Sequence, residues 1–247
     1  FFMDNIMNRW YAATKKRSSV RSYNNATFDK QDYFALKEFA GDIATDEARL
    51  VLFSDPGILK APFFLPSVKG TKYSAAVVAK KNARHIGGYV GEAFVLECTA
   101  NDFGTCWLAS SYNRILAKKQ IGLAKDECLI GVISFGISTN PLKANTENKK
   151  TPQQLAMCRN AEEYSHLLKW QQKAMECVAL APSAMNKQEW EFEFSNDSLK
   201  LYLTSNNRGM ADVDCGIAML HVELGVSQCG ITGNWSYEDG SPVFTIV

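Results

Sequence analysis

Long apolar runs, clustered metal ligands and an excess of charge of either sign are all missing from this 247-residue sequence. No window approaches the roughly 20 consecutive apolar residues that a membrane span requires. Phe1 to Trp10 mixes Asp4, Asn5, Asn8 and Arg9 among its apolar residues, which is not the pattern of a secretory leader. The expectation is a soluble, cytoplasmic protein with no membrane partner. Histidine is scarce, at His85, His166 and His221, and the seven cysteines (Cys98, Cys106, Cys128, Cys158, Cys177, Cys215, Cys229) never form CxxC. A zinc centre needs ligands clustered at short spacing, so no metal is expected. An odd number of thiols, mostly inside apolar stretches, reads as reduced and buried cysteine. With 27 Lys+Arg against 26 Asp+Glu the formal charge is +1, so no general field draws nucleic acid, and none is expected as a partner. Any anion this chain binds must be held locally.

What is present is a large apolar fraction, 46% against 21% charged, enough for one domain or two similar halves. Trp10 to Lys16 reads as a short helix or its end, and Phe28 to Asp42 as a helix burying Phe28, Tyr33, Leu36 and Phe39. Leu50 to Phe53 is a buried strand closed by the turn Ser54-Asp55-Pro56-Gly57, and Ala61 to Gly70, with two prolines among aromatics, is an apolar loop. After Gly87-Gly88, the stretch Gly91 to Gly104 confines its polar residues to a narrow stripe and reads as a buried helix ended by Gly104. Ile130 to Gly136 is a β-branched central strand, and Asn140 to Thr151, rich in Asn, Lys and Pro, a linker.

Beyond the linker the pattern repeats. A helix is predicted over Tyr164 to Ala181, and a hairpin pairs Trp190–Phe194 with Leu199–Leu203 around Ser195-Asn196-Asp197-Ser198. A second nearly all-apolar helix runs from Asp214 to Cys229, and Val243 to Val247 makes a last strand. The two buried helices match weakly at an offset of about 126 residues, which a duplication would produce. The division expected is 1–143 and 144–247, together one compact unit.

Three stretches could carry chemistry. In Arg17-Ser18-Ser19-Val20-Arg21, two guanidinium groups and two hydroxyls within one turn of chain can grip a phosphate and face an electron-rich carbonyl. In Ala181-Pro182-Ser183-Ala184-Met185-Asn186-Lys187-Gln188-Glu189-Trp190, a proline ends a helix and small residues admit a flat ligand; Asn186 and Gln188 each offer a donor and an acceptor. The third, Gly104-Thr105-Cys106-Trp107-Leu108-Ala109-Ser110-Ser111, leaves the first buried helix. Each alone is better read as structure: a basic surface turn, a polar loop, a helix end with a packed tryptophan.

Together they resemble the nitroreductase family of FMN-binding flavoproteins. Arg17-x-Ser19-x-Arg21 is similar to the family's R-x-S-x-R/K segment, Ala181 to Trp190 to its A-P-S-x-x-N-x-Q-P-W segment, and Gly91-Glu92 through Gly104-Thr105-Cys106-Trp107 to its central helix and G-x-x-x-W exit. The resemblance implies an α+β nitroreductase-like fold, with mainly antiparallel sheets flanked by helices and two pseudo-symmetric halves packed through long buried helices. It implies FMN as cofactor, NADH or NADPH as reductant, and a small-molecule acceptor such as a nitroaromatic or quinone, in ping-pong turnover. Flavin N5 does the chemistry, so no catalytic side chain is expected.

Residue by residue, the resemblance puts Arg17, with Ser18 and Ser19, on the phosphate or ribityl chain and Arg21 near flavin N1 and O2. Pro182, Ser183, Ala184 and Asn186 would cover the ring, with Gln188 among the binding residues, and the Leu108–Ala109–Ser110 backbone would face N5. Lys149 and Lys150 would reach the phosphate, or else belong to a solvated linker. In ordinary members the first two segments lie close together in one chain and pair across a dimer. Here they are far apart: Ala40-Gly41-Asp42-Ile43 stands where the first half would carry A-P-S, and the second half has no R-x-S-x-R. That implies a fused pseudo-dimer with one surviving flavin site, monomeric or a homodimer. Glu189 departs from the usual proline. Two alternatives stay open: a flavin-handling module with little turnover, and a phosphate-binding protein without redox activity. Asp214, His221 and Gln228 share one helical stripe, read as a polar seam between the two central helices rather than a proton relay. Cys106 reads as a packed thiol with no cationic partner.

Overall fold

In the computed structural model, which describes residues 2–144 and 146–247, the chain forms two units: Lys15–Asn145, and the residues up to Thr14 together with Thr146–Val247. Helix α1 (Phe2–Thr14) therefore goes with the far end of the sequence and not with the first half, where the expected division put it. Its anchor is the second buried helix, to which Asn8 is tied by Gln228 (Nε2 to Oδ1, 3.1 Å).

The Lys15–Asn145 unit contains α2 (Lys30–Asp42), β1 (Ala48–Ser54), β2 (Tyr73–Lys80), α3 (Arg84–Ala100), β3 (Gly104–Leu108), α4 (Arg114–Ile121) and β4 (Glu127–Gly136). All strand pairs are antiparallel, in the order β1-β2-β4-β3. β2 is buried from Tyr73 to Ala79, as a central strand covered on both faces must be. Phe28 is not in a helix: it precedes the α2 cap Asp29, whose carboxylate accepts from Gln31 N, and plugs a cluster with Tyr73, Phe103 and Phe135 at ring separations of 4.5–5.5 Å. Burying each such ring contributes about 1.5–3 kcal/mol.

α3 is longer at its start than expected and shorter at its end. It takes in Gly87 and Gly88, stops at Ala100, and leaves the reversal to Asp102 at φ 60, so that Gly104 opens β3 instead of capping the helix. Gly91 is where the helix meets β3: a Cβ there would lie 2.3 Å from Trp107 Cη2. β2 and α4 were not foreseen, although Asn113 caps α4 through Leu116 N and Gly122, at φ 66, ends it.

The other unit adds α5 (Pro152–Leu155), α6 (Ala161–Ser165), α7 (Lys169–Val178), β5 (Trp190–Phe194), β6 (Ser198–Leu203), α8 (Ala211–Ser227), β7 (Gly233–Glu238) and β8 (Ser241–Ile246) to α1. Its sheet is antiparallel too, ordered β5-β6-β8-β7. The helix expected over Tyr164–Ala181 is two helices, because Leu168 is extended (φ −63, ψ 151) and its N–H is taken by Gln171 Oε1 at 2.9 Å. α8 approaches α7 so closely at Gly225 that a Cβ there would sit 2.4 Å from the Lys173 carbonyl oxygen. The two sheets share one plan: two antiparallel strands, a buried 17-residue helix (α3 or α8), then two more strands with the last placed inside the sheet. All seven cysteines are free thiols.

Candidate functional site

The arginine segment is laid along the free edge of β3. Ser19 bridges Thr105 in parallel register, Val20 N donates to Thr105 O (2.8 Å), and on the other side Lys69 N donates to Arg21 O and Tyr23 N to Lys69 O, each at 2.9 Å. These backbone hydrogen bonds fix the chain from Ser19 to Tyr23 on both sides. Ser19 and Arg21 are exposed, while Arg17 turns inward and is 5% exposed.

Arg17 meets an acid, Glu92, which the central-helix segment contains but to which the sequence assigned no role. Glu92, fully buried on α3, accepts from Trp107 Nε1 at 3.0 Å and supplies the opposing charge beside the Arg17 guanidinium. Burial pulls the Arg17 pKa down, and Glu92, then Cys106, resist the change. Arg17 Nε is buried with no hydrogen-bond partner. Leaving such a donor dry costs about 1–3 kcal/mol, more when it is charged. A lone acid in Gly91-Glu92-Ala93-Phe94-Val95-Leu96 was the available signal. Cys106 does have cationic neighbours: Arg21 and Arg17 both pull its pKa down, with help from the Ser19 hydroxyl, but burial outweighs them and pushes the thiol up. Leu108 is buried at the end of β3, and Ala109 and Ser110 form the exposed bend that follows.

In the other unit, the Ala181–Trp190 loop is tied at nearly every residue. Met185, Asn186 and Gln188 are left-handed at φ 53, 55 and 47, a conformation that costs a side-chain-bearing residue roughly 1–2 kcal/mol. Side chains hold it there. Asp214 Oδ1 accepts from Ala184 N (2.9 Å), Asn207 Nδ2 donates to Ala184 O (3.2 Å), Ser183 Oγ accepts from Gln188 N (2.9 Å), and Asn186 Nδ2 donates to Asn148 O (3.0 Å).

This arrangement changes the reading of three residues. Gln188 is 0% exposed and its amide is engaged inside the loop, Oε1 accepting from Lys150 N (2.8 Å) and Nε2 donating to Ala179 O (3.3 Å), so it does not present an edge to a ligand. Lys149 Nζ donates to Ala181 O at 2.7 Å and Lys150 Nζ to Trp190 O at 3.5 Å. Both lysines thus reach backbone carbonyls of the loop. Glu189 leaves Oε2 buried with no hydrogen-bond partner. Its charge adds to the burial that lifts Asp214 to about 6, against the hydrogen bonds from Ala184 and Asn207.

Within its own unit the α8 stripe makes three contacts. Asp214 holds the loop, His221 Nδ1 lies 3.0 Å from Cys177 O on α7, and Gln228 reaches Asn8 on α1. Among the described residues no group of three or more His, Cys, Asp or Glu is arranged to hold a metal ion, and no helix is long and apolar enough to cross a membrane.

Residues 9–226 match the family model described as "Putative TM nitroreductase". The chain belongs to this nitroreductase family. A crystal structure described as "a putative nitroreductase" from Thermotoga maritima superposes with a TM-score of 0.65 at 21% identity, over 96% of this chain and 93% of that one. It shares the fold, a mixture of helices and antiparallel sheets. Two structures described as "Putative NADH dehydrogenase/NAD(P)H nitroreductase" match smaller parts. The one from Parabacteroides distasonis has a TM-score of 0.48 at 17% identity over 60% of this chain and 96% of its own. The one from Bacteroides thetaiotaomicron has 0.46 at 15% over 57% and 93%. A search of curated proteins finds no match.

Proposed function

We propose that the chain is an FMN-dependent NAD(P)H oxidoreductase that reduces a small-molecule acceptor such as a nitroaromatic or quinone. The observation that carries this reading is Arg17, a buried cation whose Nε lacks a partner although Glu92 balances its charge. A ligand rich in phosphate and carbonyl oxygens would complete it. When bound, FMN would supply two-electron chemistry at N5, accepting from NADH or NADPH and passing electrons to the acceptor.

The protein's own part is position and charge. Arg17, with Ser18 and Ser19, would hold the phosphate or ribityl chain, and Arg21, exposed on the β3 edge, would place a positive charge beside N1 and O2. The Leu108–Ala109–Ser110 backbone would face N5, where its N–H groups can donate. Pro182, Ser183, Ala184 and Asn186 would cover the ring with a backbone whose shape is set in advance. Gln188, Lys149 and Lys150 support that shape from behind. The shared strand plan of the two sheets supports descent from a duplicated half, with the arginine segment kept in one copy and Ala-Pro-Ser in the other.

The test begins with a visible spectrum of the purified protein and its flavin content. One FMN per chain, bleached promptly by anaerobic NADH or NADPH and recoloured by a quinone, is the expected result. A chain that neither carries nor takes up FMN overturns the proposal, and a bound flavin that never bleaches identifies a flavin-handling protein instead.

A further inference from the structure

Ala184 is held in an uncommon way. Its N–H and its C=O are both captured by side chains, Asp214 and Asn207, that lie far along the chain and are bonded to each other (Asn207 Nδ2 to Asp214 Oδ2, 2.7 Å). Both are buried, Asp214 3% and Asn207 6% exposed. Asn207 is itself left-handed at φ 39, in a one-turn helix whose start is fixed by Asn207 N donating to Ser205 Oγ at 3.0 Å. Immediately beyond Ala184 come the left-handed residues Met185, Asn186 and Gln188. The clamp sits where the backbone is least able to keep its shape unaided.

We propose that Asp214 and Asn207 are positioning residues: by clamping both backbone groups of Ala184, they preset the loop that covers the flavin, and the ionised carboxylate is the form that closes the clamp. This rests on the FMN reading above. The chemistry of the pair requires the charge. Asp214 accepts twice, from Ala184 N and from Asn207 Nδ2; a protonated Oδ2 would donate, and would then face the donor Asn207 Nδ2. The groups facing Asp214 give the carboxylate no described cation. Glu189, from the loop, adds negative charge, and on α8 Asp212 and Cys215 lie close to the same site. Burial thus raises its pKa to about 6, within reach of ordinary pH changes.

The sign separates positioning from simple stabilisation. A carboxylate whose folded pKa is raised weakens the fold above that value, and the loss is recovered as pH falls through it. A closed clamp favours flavin, so flavin affinity moves the other way and is lost as pH falls through about 6. Acidification should therefore strengthen the contribution of Asp214 to folding while weakening FMN binding. A purely structural residue would move both together.

The experiment is the FMN Kd of wild type and Asp214→Asn from pH 8 to pH 5, by flavin fluorescence quenching. Taking the ratio of the two at each pH removes the titration of the FMN phosphate itself. The variant is expected to bind roughly tenfold or more weakly at pH 8, with the gap closing by about tenfold between pH 7 and pH 5, one unit below the Asp214 pKa. A gap of constant size, or none, overturns the proposal. Asn207→Ala opens the clamp from the other side and should weaken FMN binding at pH 8; unchanged affinity there also overturns it. Amide exchange of the 181–189 segment in flavin-free protein reads the clamp directly: protection should fall on acidification in wild type and already be low in Asp214→Asn. If wild type binds no FMN at any pH, the FMN reading fails by itself, and equal exchange in the two proteins is what refutes the clamp.

Discussion

Replacing Gly91 by alanine should destabilise the protein, although alanine is the better helix former. In a helix interior the exchange is worth about 0.5–1 kcal/mol in favour of alanine. The new Cβ, however, would lie 2.3 Å from Trp107 Cη2, 2.6 Å from Cζ2 and 3.2 Å from Val77 Cγ2, so the indole has to move. Overpacking of this kind costs about 1–3 kcal/mol. The indole cannot shift freely, because Nε1 donates to Glu92 Oε2 at 3.0 Å, and losing a hydrogen bond to a buried carboxylate costs about 1.5–3 kcal/mol more. The net is a loss of about 2–5 kcal/mol. Glu92 also balances Arg17, so disturbing it should reach the flavin site and reduce the FMN content of the purified variant. Urea unfolding of wild type and variant measures the stability loss. Gly41→Ala is the matched control on α2: nothing lies within 4 Å of its Cβ, and the variant should gain about 0.5–1 kcal/mol. A Gly91→Ala protein as stable as wild type would refute the close contact between α3 and β3.

Glu127→Gln removes a bidentate pair with Arg49 (2.7 and 2.8 Å) and the bond from Ala124 N (2.9 Å). The Arg49 side-chain hydrogen bonds hold the Glu127 pKa down at about 2, so its stabilisation is present above the ordinary carboxylate value and lost as pH falls towards 2. With Arg49 35% exposed, solvent screening leaves about 1–2 kcal/mol at pH 7, and the gap between wild type and variant in urea unfolding should narrow by pH 3. Arg21→Ala should weaken FMN binding and lower the flavin midpoint potential, whereas Arg17→Ala should chiefly cost affinity, about 1.5–3 kcal/mol. An unchanged affinity and potential in Arg21→Ala, by redox titration, would show that this arginine is not beside the ring.

Features carried by local pattern were legible in the sequence. The Trp190–Leu203 hairpin alternates around a polar turn, and α8 is apolar on nearly every side, so both were read correctly. Where tertiary contacts decide, local pattern failed. No proline or glycine marks the break between α6 and α7; it is made by Gln171 and Gln172, whose amides take up Leu168 N and Leu167 O. β2, Tyr-Ser-Ala-Ala-Val-Val-Ala-Lys, is too rich in alanine to declare itself a strand, and β7 is too exposed to alternate clearly. At the site, residue types announced the two motif segments, and the chain belongs to the family they resemble. Which amides turn inward was not readable. Gln188 has the right chemistry for a ligand and a place in the loop that keeps it from one. Asn207, which holds Ala184, belongs to no motif, and Glu92, beside Arg17, lies in the central-helix segment without a residue pattern that announces its role.

The pairing of α1 with α8 has a bearing on synthesis. Gln228 meets Asn8 across 220 positions, so α1 is synthesised well before the helix that anchors it. Lys15–Asn145 can collapse as soon as it has emerged, its strands and helices being close neighbours in the chain. α1 must wait, with its apolar side uncovered, until α8 is complete. For that interval α1 has only its own turns to hold it, and a 13-residue helix is marginal alone.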